Sequence, residues 1–502
     1  MNLATIIDEH PDEAAAVVSR GQVTTYGELR RQVGELRGGL TRLGVAPGDR
    51  VAVAAANNWL FVVSYLATLG VGGVAVALNP GSPAAELQSQ LAGVGPRLLI
   101  AGPAGRAAVA AIDREAAGLA AVVAPQGVDL EEAESFESLF GGASRPVLDR
   151  DDADLAALLF TGGTGGAPKA AKLTHGNLRV NIEQVQQHPG RHVGPGDVAL
   201  GVLPLFHIFG LNVVLGLTLA GGACVVLVER FDPGSSLDTI RDRKVTLVSG
   251  APPMYAAWAA LPGADPDAFG GVRLATSGAA PLAEETAAAF QQRFGIPIRQ
   301  GYGLTEASPV VSSALSDGPD KPTSIGLPLP GVEVRLVDDD GEDVLQGDAG
   351  EIWVRGPNVF TGYWENDEAT KAALTPDGWL RTGDVAVTDD DGWLYIVDRA
   401  KDLIIVSGFN VYPAEVEEVL LGYPGVADAA VVGEPEPRSG ERVIAFVVAD
   451  PGTTLRPELL TEHASRFLAR YKVPARIEVV PELPRSFAGK VLRRQLREPP
   501  TP

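Results

Sequence analysis

Residues 161–175 read TGGTGGAPKAAKLTH and follow an uninterrupted apolar run at 155–160. A run of that length and composition is expected to be a buried strand. The nine residues beginning at Thr161 hold four glycines, two threonines, a proline and a lysine. Such a loop turns sharply, presents several backbone N–H groups to one anion, and adds hydroxyls and one ammonium. A polyphosphate needs these groups. The pattern is not the Walker-type loop, because Lys169 follows proline rather than glycine and Ala170 stands where Ser or Thr is required. Alone, it would read equally as a glycine-rich surface turn. Its weight comes from four more stretches downstream.

Around this strand and loop, apolar runs alternate with alanine-rich helical stretches. The runs 51–55, 73–78 and 97–101 precede it, and 198–203, 223–228 and 246–249 follow. That alternation predicts α/β architecture with doubly wound βα subdomains. Between 320 and 400 the character changes. Asp-Gly turns at 340–341, 377–378 and 391–392 separate short alternating runs such as 332–337 and 351–355, which predicts antiparallel hairpins and a small β-barrel-like region. Beyond about 400, the stretches 414–421, 426–432, 443–448, 457–471 and 476–480 predict a small α+β domain. The expected division is a large domain over 1–400 and a small one over 401–502.

The chain has 502 residues, more than one ordinary core accommodates, which also calls for at least two domains. A net charge of −22 argues against nucleic acid and anionic membrane as main partners. The single cysteine, Cys224, excludes an internal disulfide and fits a reducing compartment; no His/Cys cluster suggests zinc. Two long stretches, 51–85 and 198–228, lack Asp, Glu, Lys and Arg. Glycine pairs at 72–73 and 221–222 cut them, so they read as strand–helix–strand segments buried on both sides of a parallel sheet rather than as membrane spans. The N-terminus carries acids where a signal peptide has its basic region, so a cytoplasmic location is expected. Lysine occurs only eight times, at 169, 172, 244, 321, 371, 401, 472 and 490, which makes each one informative.

The second stretch is GYGLTEA at 301–307, where Gly301 and Gly303 flank Tyr302, a flat aromatic suited to a base. Thr305 adds a hydroxyl, and Glu306 a carboxylate able to hold Mg2+ together with phosphate oxygens. The third, GWLRTGD at 378–384, is followed by IVDR at 396–399; a carboxylate accepts from ribose hydroxyls, and arginine donates to the same sugar. The fourth, KDLIIVSGFNVYP at 401–413, contains a Ser-Gly turn. The fifth, LPRSFAGKVLRR at 483–494, sets Lys490 in a Gly-Lys turn. Each has an ordinary reading as a loop or a solvated face.

With all five in order, the chain resembles the acyl-adenylate-forming, AMP-binding superfamily over nearly its whole length, from about residue 20 to the C-terminus. It is most similar to fatty acyl-CoA synthetases, on FTGGT at 160–164, PLFHIFG at 204–210, GYGLTEASPVV at 301–311, SIGLPLPGVEVRLVDDDG at 324–341 and KDLIIVSGFNVYP. The resemblance implies ATP, Mg2+ and CoA, and a two-step reaction: a fatty acid is converted to acyl-AMP with release of pyrophosphate, then passed to the thiol of CoA. By motif position, Thr161, Gly163, Thr164 and Lys169 would surround the β- and γ-phosphates. Gly278, Ala279, Ala280, Tyr302 and Gly303 would flank adenine. Thr305 would face the α-phosphate, and Glu306 would bind Mg2+. Asp384 and Arg399 would hold the ribose, and His207 would stand by the carboxylate end of the acyl pocket. Lys490 would reach the α-phosphate during adenylation. Lys401 would be the hinge, and Ser407-Gly408 would pass along the pantetheine channel.

Gly162 and Gly165 depart from the Ser and Thr usual in this loop, and Ala170 from the usual glycine, leaving it fewer hydroxyls. The resemblance leaves room for an acyl carrier protein as acceptor, for peripheral membrane contact and for a homodimer. A non-catalytic acyl- or nucleotide-binding protein of the same fold is the alternative of a different class.

Overall fold

The computed structural model describes residues 1–161, 168–190, 192–280, 282, 284–315, 321, 323–338, 340–399, 404–411, 413–484, 493 and 496. The apolar runs of the N-terminal part form strands that pair in parallel. Arg50–Ala54 lies between Val74–Leu78 and Leu98–Ala101, and Leu155–Thr161 extends the sheet from Val74–Leu78. Lys169–Thr174 returns antiparallel on Leu155–Thr161, with Thr161 opposite Lys169, so the glycine-rich loop is clamped at its base by a β-ladder. Among the described residues this sheet has seven strands.

A second sheet of nine described strands carries Val198–Gly201 in its interior, with Cys224–Leu227 on one side and Leu247–Gly250, Leu274–Ser277 and Ile298–Gly303 on the other, all parallel. Both uncharged stretches become strand–helix–strand units of these sheets. In the first, Trp59–Gly70 is almost wholly buried, and Asn58 caps its start by accepting from the Phe61 N–H. No helix among the described residues is long and apolar enough to cross a membrane.

In the second unit the helix opens as a π-helix, Phe209–Gly216, before closing to α over Leu217–Ala220. The wider turn lets Asn212 project into the packed layer. Its Nδ2 donates to the Leu178 carbonyl at 3.0 Å and the Ser308 carbonyl at 2.7 Å, tying the helix His175–Gln187 to the segment after Thr305. Tyr255 performs a similar task below. Its hydroxyl donates to the Thr276 carbonyl at 2.7 Å, which fixes the helix Pro252–Ala260 against the strand Leu274–Ser277.

The hairpin region is an antiparallel sheet in the order Glu333–Val337, Gly350–Arg355, Leu380–Thr388, Leu394–Arg399. A small C-terminal domain follows, with five described strands and the helices Pro413–Leu421 and Pro457–Phe467 around a core including Ile404, Val416, Leu420, Val431, Ala445 and Leu460. Its first two strands, Ile404–Val406 and Phe409–Val411, join through a two-residue turn, Ser407-Gly408. Both turn residues have positive φ, +53° and +83°, as a tight hairpin of this twist requires. The expected architecture, a large domain followed by a small α+β domain, is what the chain adopts.

Candidate active site

The parallel strands of the nine-stranded sheet all end at one edge, and the segments leaving their C-terminal ends enclose a cleft of about 1280 Å3. Ligands of open α/β sheets bind at this edge. Leaving Val198–Gly201, the chain enters PLFHIFG. Asn57 holds this turn by donating to the Gly201 and Leu203 carbonyls at 3.0 and 2.7 Å and accepting from the Leu205 N–H at 2.9 Å. Leaving Leu274–Ser277 it enters Gly278, Ala279 and Ala280, all at the cleft, with Ala279 in the left-handed region at φ +68°. A Cβ on Gly278 would stand 3.0 Å from the Phe209 ring, so the absence of a side chain brings that ring against the backbone. Leaving Ile298–Gly303, the chain lines the cleft with Tyr302, Gly303, Thr305 and Glu306. A Cβ at Gly303 would lie 2.2 Å from the Pro309 carbonyl oxygen, so only glycine fits there.

Two hydrogen bonds organise the acidic groups. Tyr302 Oη donates to Asp384 Oδ2 at 2.7 Å, and Tyr363 Oη donates to Glu306 Oε1 at 2.7 Å. The ammonium of Lys169 lies 5.5 Å from the centroid of the Tyr363 ring. Thr161, Lys169, Glu306 and Tyr363 therefore share one end of the cleft. Asp384 and Arg399 are register partners in the ladder between Leu380–Thr388 and Leu394–Arg399.

Phe206, Phe209, Phe231, Met254 and Leu282 give the cleft an apolar lining. His207 also lines the cleft. Burial, helped by the charge of Lys472, lowers its pKa to about 4, so its imidazole is neutral near pH 7. Its Nε2 is shielded from solvent and has no hydrogen-bond partner among the described residues. From the small domain, Ser407, Gly408, Phe409 and Arg438 line the same cleft. Phe409 packs its ring 5.4 Å from that of His207. Gly408 approaches the large domain closely, for a Cβ there would stand 2.6 Å from Ala251 Cβ.

This constellation fits a magnesium nucleotide. A glycine-only turn presents a flat phenol, two carboxylates are each held by a phenol, and a lysine lies at the base of a glycine-rich loop. Glu306 could hold a magnesium ion, whose charge would neutralise phosphate oxygens.

The descriptions of known proteins agree. A family model for the AMP-binding enzyme matches residues 3–364, and one for the AMP-binding enzyme C-terminal domain matches 415–490. The chain belongs to the AMP-binding enzyme family. A feruloyl-CoA synthase of Amycolatopsis sp is 40% identical over 485 residues, covering 96% of this chain and 95% of the relative. A long-chain-fatty-acid–CoA ligase of Yersinia pestis is 36% identical over 524 residues, covering 96% and 91%. Among solved structures, the amide bond synthetase McbA from Marinactinospora thermotolerans superposes with a TM-score of 0.88 at 33% identity, over 99% of both chains. The family and these relatives make the chain an acyl-CoA ligase in the broad sense, and AMP-binding CoA ligases use ATP, Mg2+ and CoA.

In this AMP-binding enzyme the cleft gathers most of the expected site residues: Thr161, Lys169, His207, Gly278, Ala279, Ala280, Tyr302, Gly303, Thr305, Glu306, Asp384, Ser407 and Gly408. Gly163, Thr164, Lys401 and Lys490 lie outside the described residues. Three contributors were given no role by the sequence. Tyr363 belongs to no motif yet holds Glu306, Asn57 lies in an uncharged run yet fixes the His207 turn, and Phe409 meets His207 only because the small domain folds back.

Proposed function

We propose that the protein is an ATP-dependent fatty acyl-CoA synthetase, converting a fatty acid to acyl-AMP and then to acyl-CoA. The observation that carries this reading is a single cleft joining carboxylates and a lysine suited to Mg-ATP to an apolar wall of Phe206, Phe209, Phe231 and Met254. An apolar acid whose carboxylate lies near His207 would have its chain along that wall and its oxygens toward the phosphates. Neutral His207 would neither compete as a cation for the carboxylate nor repel the magnesium.

In the first step the residues position and neutralise rather than bond covalently. Tyr302, with Gly278–Ala280, would hold the base, and Asp384 and Arg399 the ribose. Thr161, Gly163, Thr164 and Lys169 would take the outer phosphates, Thr305 the α-phosphate, and Lys490 the charge developing there. Glu306 would hold the magnesium. In the second step the domain carrying 401–502 would have turned about Lys401, placing Ser407-Gly408 beside the path of the thiol. The small domain's place in the cleft supports assigning the present arrangement to this step.

A second reading, an aryl-propenoic acid in place of the fatty acid, is favoured by the 40% identity to a feruloyl-CoA synthase and by the phenyl ring of Phe209 set against Gly278. Mass spectrometry of the thioester formed from an equimolar mixture of fatty and aryl-propenoic acids, with limiting enzyme, Mg-ATP and CoA, separates them. Predominant fatty acyl-CoA supports the first reading; predominant aryl thioester replaces it with the second.

A further inference from the structure

At the boundary between the two domains, one lysine is buried between two carboxylates. Lys472 Nζ donates to Glu415 Oε1 at 2.7 Å and to Glu86 Oε1 at 3.2 Å, and the three side chains are 9%, 8% and 6% exposed. Glu415 lies on the small-domain helix Pro413–Leu421, whereas Glu86 lies on the large-domain helix Ala84–Val94. The Lys472–Glu415 pair therefore travels with the small domain, and of the two contacts of Lys472 the one with Glu86 crosses between the domains.

We propose that Glu86 is a positioning residue for acyl transfer: its buried pair with Lys472 holds the small domain where Ser407, Gly408 and Phe409 enter the cleft. The inference rests on the reading that this arrangement serves transfer to the thiol.

The charges make the contact specific and reversible. Two buried carboxylates share one ammonium, and the second oxygens, Glu86 Oε2 and Glu415 Oε2, are buried with no hydrogen-bond partner among the described residues. Burial raises the pKa of Glu415, against the lowering by Lys472. Such a cluster is costly to desolvate, so it holds only when all three groups are in register. On departure of the small domain, Lys472 keeps Glu415 while Glu86 regains water. An apolar patch in the same place would hold without specifying register.

The cluster is also linked mechanically to the site. Tyr471, next to Lys472, stacks on Phe409 with ring centroids 4.3 Å apart and planes at 22°, and Phe409 meets His207 at 5.4 Å. Phe409 directly follows the Ser407-Gly408 turn. The position in which Lys472 is anchored thus sets the position of the turn.

The test is Glu86→Gln, which keeps shape and removes charge, assayed in two half-reactions alongside the wild type. Acyl-AMP formation is followed by pyrophosphate exchange, and transfer by thioester formation from supplied acyl-AMP and CoA. Amide hydrogen exchange of residues 84–94 reports docking independently of any acceptor. The expected result is transfer slowed roughly tenfold, as for a lost closure contact, with acyl-AMP formation unchanged and exchange at 84–94 faster. Unchanged transfer, or equal slowing of both half-reactions, overturns the proposal. If the wild type forms acyl-AMP but never passes it to CoA, the functional reading fails instead. Hydrogen exchange then decides alone: faster exchange in the variant upholds the anchoring role, and equal exchange overturns it.

Discussion

Tyr302 and Asp384, 82 residues apart in sequence, are joined in the cleft by a 2.7 Å hydrogen bond from phenol to carboxylate. The bond fixes the plane of the ring and the direction of the acid together. Tyr302→Phe keeps the flat face and loses the tie. A hydrogen bond to a charged group contributes about 1.5 kcal/mol or more, so the KM for ATP is expected to rise about tenfold with little change in kcat. Steady-state kinetics with ATP varied checks this; a fall in kcat at constant KM would contradict it.

The second phenol–carboxylate pair predicts a metal effect. Tyr363→Phe frees Glu306 Oε1 from its 2.7 Å donor, so the carboxylate is no longer aimed. The magnesium concentration giving half-maximal acyl-AMP formation should rise several-fold, while Glu306→Gln should cost roughly a hundredfold in rate. Magnesium titrations of pyrophosphate exchange measure both. An unchanged magnesium requirement in Tyr363→Phe would remove Glu306 from the metal site.

The two half-reactions should be separable by substitution. Gly408→Ala forces a side chain onto φ +83° and to within 2.6 Å of Ala251, so acyl transfer should fall tenfold or more while acyl-AMP still forms. Lys490→Ala should do the reverse, costing a hundredfold or more in adenylation yet still converting supplied acyl-AMP to thioester. Lys401→Pro, by stiffening the proposed hinge, should resemble Gly408→Ala. Lys490→Ala damaging both half-reactions equally would sink the domain-rotation account.

His175 predicts a pH effect on stability. Its Nδ1 accepts from the Leu3 N–H at 3.1 Å, which only a neutral imidazole can do, and burial, then the charge of Arg150, lowers its pKa to about 4. An unfolded histidine titrates near 6.5. Between those values the unfolded chain binds the extra proton, so stability is complete above about pH 6.5 and is lost as pH falls toward 4, by about 3 kcal/mol at most. His207 acts in the same direction. Urea unfolding of wild type and His175→Asn should show a stability gap that narrows from pH 7 to pH 4.5. A constant gap would mean that His175 is not held neutral.

The sheets were readable because parallel strands buried on both faces are plain apolar runs. The expected strand at 51–55 is Arg50–Ala54, and that at 246–249 is Leu247–Gly250; the boundaries moved by one residue because the ladder, not composition, ends a strand. Glycine-marked turns were equally legible, since positive φ at Gly408 and the close approach at Gly303 leave few other residues workable. The sequence concealed whatever depends on three-dimensional return. Tyr363 and Asn57 look like any tyrosine or asparagine until the chain brings them to Glu306 and the His207 turn. Lys472 stood out only as one of eight lysines, and its partner Glu86 is 386 residues away, beyond any local pattern.

The most direct test of the central claim is pyrophosphate release with Mg-ATP across carboxylic acids from acetate to palmitate, with benzoic and propenoic aryl acids, each with and without CoA. The account predicts release that is strong with medium or long alkyl chains and multiplied by CoA, with acyl-CoA as the product. Release confined to aryl acids, release stalling after one turnover despite CoA, or no release with any acid would contradict it.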